Sequence, residues 1–190
     1  MKDSEPLETL DSFSTPRLFA ERLTIAHLPD LKRMDQNEAF MAKMGGVREE
    51  SETVIYLQGN LAHWAEYGFG IWMLRDPGTS AVIGRAVLRH LDLEGVDEVE
   101  VGYGFLPEFW GRGLATEVAR ACIDIGRRQL GLRSIVAITR PANHASQRVM
   151  LKAGLVHERA IIHAGVTHVL FRTRNAHLPF AASRSNAPTS

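Results

Sequence analysis

The chain has 190 residues, with 22 Lys and Arg against 22 Asp and Glu, so its formal net charge is zero and no global field draws it to nucleic acid or to an anionic membrane. With 45% apolar residues it can fill the core of one domain without metal or disulfide staples, and its single cysteine, Cys122, excludes an intramolecular disulfide and a multi-cysteine zinc site. The opening Met-Lys-Asp-Ser-Glu-Pro lacks the apolar centre of an export signal and no apolar run approaches the roughly 20 residues of a membrane span, so the expectation is a cytoplasmic protein. Residues 1–14 and 179–190 are small and polar and read as flexible ends around one domain at 15–178.

Within that domain residues 18–25 read as a first strand. Pro29 and Asp30 then open a short helix through Met34, Pro by presetting φ and Asp by offering a cap. A polar stretch with Gly45 and Gly46 follows. Ser51 heads a helix in which Val54, Leu57, Leu61 and Trp64 share a face, and Gly68 stops it. Residues 69–74 and 81–91 read as strands joined by a turn at Asp76, Pro77 and Gly78. In the next strand Val99, Val101, Tyr103 and Phe105 alternate with Glu98, Glu100, Gly102 and Gly104, the period-two pattern of two distinct faces, until Pro107 ends it. Leu114, Val118, Cys122 and Ile125 recur at helical spacing, so a helix starts near Gly113. Residues 134–139 are a short β-branched run, the pattern of a strand buried on both faces. Asn143 opens a last helix with Ser146, Val149, Met150 and Ala153 on one side and Gly154 as its stop, and strands near 156–163 and 168–174 follow. The sum is a mixed α/β (α+β) domain with a twisted, mostly antiparallel sheet of about seven strands flanked by helices.

The segment Trp110-Gly111-Arg112-Gly113-Leu114-Ala115-Thr116-Glu117 therefore lies where a strand gives way to a helix. The first N–H groups of a helix lack internal partners and carry the positive end of its dipole, so an anion is favoured at residues 110–116, and Gly111 and Gly113 let the backbone come close. The absence of a Gly-Lys dipeptide excludes a Walker loop, and Phe105-Leu106-Pro107 stands where a dinucleotide fingerprint needs its third glycine. A plain strand-to-helix turn is the competing reading.

The order of this loop, the preceding Glu100-Val101-Gly102-Tyr103, and the later Asn143-x-x-Ser146 and Lys152-Ala153-Gly154-Leu155 resembles the GCN5-related N-acetyltransferases, especially their ribosomal-protein branch. The likeness spans about residues 15–175 and is weaker in the front half, where it rests on the Arg17-Leu18 strand opening. It implies acetyl-CoA as cosubstrate, its pyrophosphate on backbone amides of residues 112–116, with Gly111, Gly113, Leu114, Ala115 and Thr116 in the cradle and Arg112 adding a charge contact. Trp110 stands where the family pattern has a leading Gln or Arg. The resemblance also implies that the pantetheine arm lies like an extra strand between the Glu100 strand and the strand at 135–138, and that a backbone N–H near residues 102–105, with Phe105 at the end, polarises the thioester carbonyl.

Acyl transfer to an amine needs a neutral nitrogen. Near pH 7 that costs about 4 kcal/mol for a lysine but less than about 2 for an α-amine. Glu100 is the first candidate base, directly or through water, with Glu98 as second. Met150 occupies the position where many family members carry an acidic Tyr, so Ser146 is the candidate donor to the leaving thiolate and Asn143 the residue that orients the pantetheine amide; the competing roles are first-turn hydroxyl and helix cap. Tyr103, Trp64 and Trp72 read as packing, Cys122 as core rather than nucleophile, and Glu117 as a complement to the helix dipole. His157-Glu158 lacks the second His of a zincin helix, and His63, His144 and His163 show no metal-ligand spacing, so no metal is expected. The expected activity is acetyl transfer from acetyl-CoA to a primary amine, a protein N-terminus or a small molecule, by a monomer or homodimer; the rival is a non-catalytic acyl-CoA-binding module.

Overall fold

Glycine stops and polar caps divide the chain much as their chemistry dictates. The computed structural model describes residues 10–174. After β1 (Ser12–Ser14) and β2 (Phe19–Arg22) come α1 (Leu28–Asp35), α2 (Glu38–Met41) and α3 (Glu50–Tyr67). Gly68 ends α3 at φ 73°, where a Cβ would be strained, and Asn37 caps α2 by accepting from Phe40 N–H. A meander follows, β3 (Ile71–Arg75), β4 (Val82–Leu93) and β5 (Val96–Phe105), then α4 (Leu114–Arg128), β6 (Val136–Thr139), α5 (His144–Lys152) and the hairpin β7 (Leu155–His163) and β8 (Val166–Thr173).

The strands form one sheet of eight, in the order β1-β2-β3-β4-β5-β6-β8-β7, one more than the seven expected. The extra strand is β1, which falls in the segment read as a frayed end. It pairs antiparallel with β2, and the Phe13 ring stands edge-on to Trp72 at 5.4 Å, so one aromatic holds a short polar segment to the core. The remaining end segments, residues 1–9 and 179–190, lie outside the described residues.

The two faces of the sheet are covered differently. Leu88 on β4 and Val101 on β5 are buried on the face that receives α4, whose Val118, Cys122 and Ile125 are buried as the helical spacing predicts. Gly126 brings α4 down on the sheet: a Cβ there would stand 2.7 Å from Ile135 Cδ1. On the opposite face α2 lies against β5, since a Cβ on Gly104 would meet Phe40 at 2.9 Å and Met44 at 2.7 Å.

β5 and β6 are parallel neighbours joined by one register pair, Glu100 with Val136. Beyond it Ala137, Ile138 and Thr139 pair with β8 alone, so the two strands diverge toward their C-terminal ends. The closed end of this V is clamped. Arg172 on β8 donates to Glu98 on β5 at 2.8 and 2.9 Å and to Ser134 Oγ at 2.7 Å, and it also pairs with Glu158. These bonds raise the Arg172 pKa, the Glu98 bond contributing most. Glu98, the second candidate base, is thus committed to holding the sheet together.

The far end of α3 is fixed to β4 by a neutral imidazole. His63 Nδ1 lies 2.9 Å from the Phe69 carbonyl oxygen, and Nε2 accepts the His90 N–H at 3.0 Å, which requires the proton on Nδ1. Burial lowers the His63 pKa from 6.5, with the nearby His90 and Arg89 acting in the same direction. Since the folded pKa lies below the unfolded one, this contribution is complete above pH 6.5 and is lost as pH falls through the folded value. Urea unfolding at pH 7.5 and 5.5 should therefore show wild type losing more stability on acidification than His63→Gln; parallel losses would contradict this.

Candidate functional site

The loop between β5 and α4 is built by two left-handed glycines. Gly111 has φ 74°, and Gly113, the cap of α4, has φ 78° and ψ 3°. The first turn of α4 begins bonding with Glu117 N–H to the Gly113 carbonyl at 3.2 Å, so the N–H groups of Leu114, Ala115 and Thr116 precede any internal acceptor. Leu114 anchors this turn by burying its side chain, 6% exposed. Free backbone N–H groups and the positive end of the helix dipole coincide here, an arrangement that favours an anion.

The side chains around the loop are arranged less simply. Arg112 turns back: its Nη2 donates to the Glu108 carbonyl at 2.8 Å and its guanidinium stands 5.1 Å over the Phe109 ring. Trp110 is 54% exposed, and its indole N–H donates to the Phe105 carbonyl at 2.6 Å, closing the turn at the mouth of the V. Glu117 does more than complement a dipole. It accepts from Thr15 Oγ1 at 2.6 Å, Arg17 N–H at 3.0 Å and Arg17 Nε at 2.7 Å, while Arg17 Nη1 reaches the Arg112 carbonyl at 2.7 Å. Burial would raise the Glu117 pKa, but the bonds from Thr15 and Arg17 outweigh it and hold the carboxyl low. Arg17 thereby fixes the loop from a segment about a hundred residues earlier, which the sequence reading did not anticipate.

Glu100 lies at the vertex of the V, directly across from Arg89 on β4. Its Oε2 is 3.4 Å from both Arg89 Nε and Nη2, and its side chain is 14% exposed. Burial would lower the Arg89 pKa, but the Glu100 charge overrides it and the net shift is upward. The carboxylate is thus held beside a cation, with part of its surface still open to solvent.

On the other side of the opening, Asn143 caps α5 by accepting from Ser146 N–H at 3.3 Å, and its amide donates to Thr139 Oγ1 at 3.0 Å. The side chain expected to orient a ligand amide is mainly a clip between the end of β6 and the start of α5, with one amide N–H left over. Ser146 has a neighbour that sequence periodicity concealed. The Tyr103 hydroxyl, from β5, donates to the Ser146 carbonyl at 3.1 Å and lies 3.2 Å from Ser146 Oγ. Burial pushes the Tyr103 pKa up to about 12 despite the Ser146 bond. Tyr103 is therefore not simple packing: a buried phenol needs a polar partner, and here it spans the opening to find one. Met150 is buried at 3% exposure, and Cys122 is fully buried with its thiol pushed up to about 12, which suits packing and not nucleophilic attack. Among the described residues no cluster of three metal-ligating side chains occurs, and no helix is long and apolar enough to cross a membrane.

A mixed sheet parted between two parallel strands, with a glycine-built turn and a helix start at its open end, defines a protein of the acyl-CoA-dependent acyltransferase fold. Residues 17–156 match the acetyltransferase (GNAT) domain, about three quarters of the chain. The chain belongs to the GNAT family and is an acetyl-CoA-dependent N-acetyltransferase. It is 30% identical over 121 residues to the uncharacterized protein YkkB of Bacillus subtilis, covering 64% of this chain and 70% of that protein. A crystal structure of an acetyltransferase from Agrobacterium tumefaciens superposes with a TM-score of 0.78 at 23% identity, over 90% of this chain and 99% of that one. RimL, a ribosomal L7/L12 alpha-N-protein acetyltransferase solved in complex with coenzyme A, superposes with a TM-score of 0.68 at 18% identity, over 83% of this chain and 94% of that one.

Proposed function

We propose that this enzyme acetylates a primary amine, a protein N-terminal α-amine or a small-molecule amine, by direct attack within a ternary complex. The observation that carries this reading is the V between β5 and β6, with free backbone donors at its mouth and Glu100 at its vertex. Acetyl-CoA supplies the acetyl group as a thioester. The residues that would hold its pyrophosphate are 111–116, chiefly through the N–H groups of Leu114, Ala115 and Thr116, with Arg112 available once its side chain leaves the Glu108 carbonyl. Backbone groups of β5 beyond Glu100 that no strand pairs on the β6 side suit a pantetheine arm lying as an added strand, which ends at Phe105, whose carbonyl is already taken by the Trp110 indole, with the spare Asn143 N–H beside it.

Glu100, through a water at its exposed edge, takes the proton from the ammonium form of the amine and leaves the neutral nitrogen that attacks; the proton released as the C–N bond forms passes to solvent. The C–S bond breaks with its electrons on sulfur, and Ser146 Oγ–H donates to the departing thiolate, which takes its final proton from solvent. Tyr103, neutral at any working pH because its pKa is about 12, gives its hydrogen to the Ser146 carbonyl and so leaves the serine hydroxyl free to point at sulfur. It positions the donor and does not itself supply the proton. Cys122 is buried too deeply for an acetylated intermediate.

Release of CoA thiol across an amine and peptide panel tests this. Ser146→Ala should lower kcat about 10- to 150-fold, the value of one hydrogen bond to a charged group, and Tyr103→Phe a few-fold, with acetyl-CoA affinity unchanged in both. Donor binding with no acceptor turned over would instead support a non-catalytic acyl-CoA-binding module, and no donor binding at all would defeat both readings.

A further inference from the structure

One peptide of the loop between β5 and α4 is held from outside the loop. The Arg112 carbonyl accepts from Arg17 Nη1 at 2.7 Å. A trans peptide sets its C=O and N–H in opposite directions, so the Gly113 N–H is turned away from Arg17. Gly113 is left-handed at φ 78° and ψ 3°, and Leu114 begins the right-handed turns of α4. That succession of conformations gathers the N–H groups of residues 113, 114 and 115 onto one concave side. Among the described residues the Gly113 N–H finds no backbone acceptor.

Nothing within the loop keeps that peptide in place. Glycine takes φ of either sign at little cost, so rotation about ψ of Arg112 and φ of Gly113 exchanges the two ends of the peptide and brings the carbonyl oxygen to the concave side. An oxygen there would repel a phosphate. The group that prevents the exchange is itself fixed. Arg17 Nε and Nη2 stand 2.7 and 2.6 Å from Glu117 Oε2, and the Arg17 backbone N–H donates to Glu117 Oε1 at 3.0 Å, an oxygen that Thr15 Oγ1 also reaches at 2.6 Å. With two nitrogens of its rigid fork committed to a carboxylate on the first turn of α4, Arg17 has its third aimed at the Arg112 carbonyl, a division of labour that a single ammonium group lacks the geometry for.

Resting on the reading of residues 111–116 as the pyrophosphate site, we infer that Arg17 is a positioning residue of the donor site: it locks the peptide between Arg112 and Gly113 so that the Gly113 N–H joins those of Leu114 and Ala115 on the pyrophosphate. The segment between β1 and β2 thereby sets donor affinity without touching the donor. Its contribution is a population effect, since affinity falls in proportion to the fraction of molecules whose peptide faces the right way.

The test is a titration of the full chain with acetyl-CoA and with S-acetylpantetheine, which lacks the pyrophosphate, followed by proton–nitrogen correlation spectra that report both Kd and individual amides. In the wild type, acetyl-CoA should move the amide protons of Gly113, Leu114 and Ala115 downfield and S-acetylpantetheine should not. Arg17→Gln should raise the Kd for acetyl-CoA by about tenfold or more, abolish the response of the Gly113 amide and leave the Kd for S-acetylpantetheine unchanged. Arg17→Lys, which keeps the charge and loses the fork, should behave as Arg17→Gln does. Wild-type affinity for acetyl-CoA in Arg17→Gln, its restoration by Arg17→Lys, an equal loss for both ligands, or a Gly113 amide that stays still in the wild type while those of Leu114 and Ala115 move would each overturn this inference and leave the pyrophosphate site standing. Acetyl-CoA binding to the wild type no more tightly than S-acetylpantetheine, with none of these amides responding, would overturn the pyrophosphate reading itself.

Discussion

Gly113→Val is expected to raise the Kd for acetyl-CoA by about 10- to 100-fold, which is about 1.4 to 2.8 kcal/mol of lost binding. Gly113 caps α4 at φ 78° and ψ 3°, a left-handed conformation that costs an L-residue about 1–2 kcal/mol and a β-branched one more. Crowding within the chain is not the cause, since the nearest atom to an added Cβ is Arg17 Nη2 at 3.6 Å, an ordinary contact. The variant must either bear the strain or rotate out of it, and rotation turns the N–H groups of Leu114, Ala115 and Thr116 away from the phosphate position. Calorimetric titration with acetyl-CoA measures the effect, and a thermal melt separates it from unfolding. Unchanged affinity would show that the cradle is an ordinary turn.

Glu100→Gln is expected to lower kcat/KM for an amine acceptor by about 100-fold at pH 7, in the range of lost general-base catalysis, with donor affinity unchanged. For an acceptor with pKa of about 8, the deficit should shrink as pH rises toward 9, because the amine then reaches its attacking form without help. The pH series is decisive because the substitution also leaves Arg89 without its counter-charge, 3.4 Å away. A loss that came from disturbing that pair would persist at every pH. A constant deficit from pH 7 to 9 would assign Glu100 to structure and move the search for a base elsewhere.

What the sequence disclosed and what it concealed divide along a physical line. Local periodicity and caps located the meander, α3, α4 and α5, since Val99 and Val101, or Val118 and Cys122, recur at spacings that only one kind of element buries. The short strand at Val136 and its β-branched neighbours fell where expected, and its limited length is part of why the V opens. β1 escaped because three residues, Ser12–Ser14, are too few to show a period, and α2 because four residues within a polar stretch carry no stripe. The candidate loop was legible in its backbone, since Gly111 and Gly113 take the left-handed conformation that glycine allows, and its surroundings were illegible where they depend on distant pairing. Tyr103 and Ser146 are 43 residues apart, Arg85 and Asp35 are 50, and Arg17 and Glu117 are 100. A tyrosine alternating with valines reads as packing until the partner of its hydroxyl is known. Glu98 and Glu100 look equivalent in the sequence; the sheet separates them by giving one the bidentate grip of Arg172 and the other the looser contact of Arg89.

Transfer of an isotopically labelled acetyl group tests the central claim most directly. With labelled acetyl-CoA and the amine panel, mass spectrometry should find the label on the acceptor nitrogen, dependent on both enzyme and acceptor, and none on the protein itself when the acceptor is omitted. Label on Cys122 or another side chain of the enzyme that is then passed to the amine would contradict direct attack, and failure of every amine to acquire the label would contradict the assignment of this site to amine acetylation.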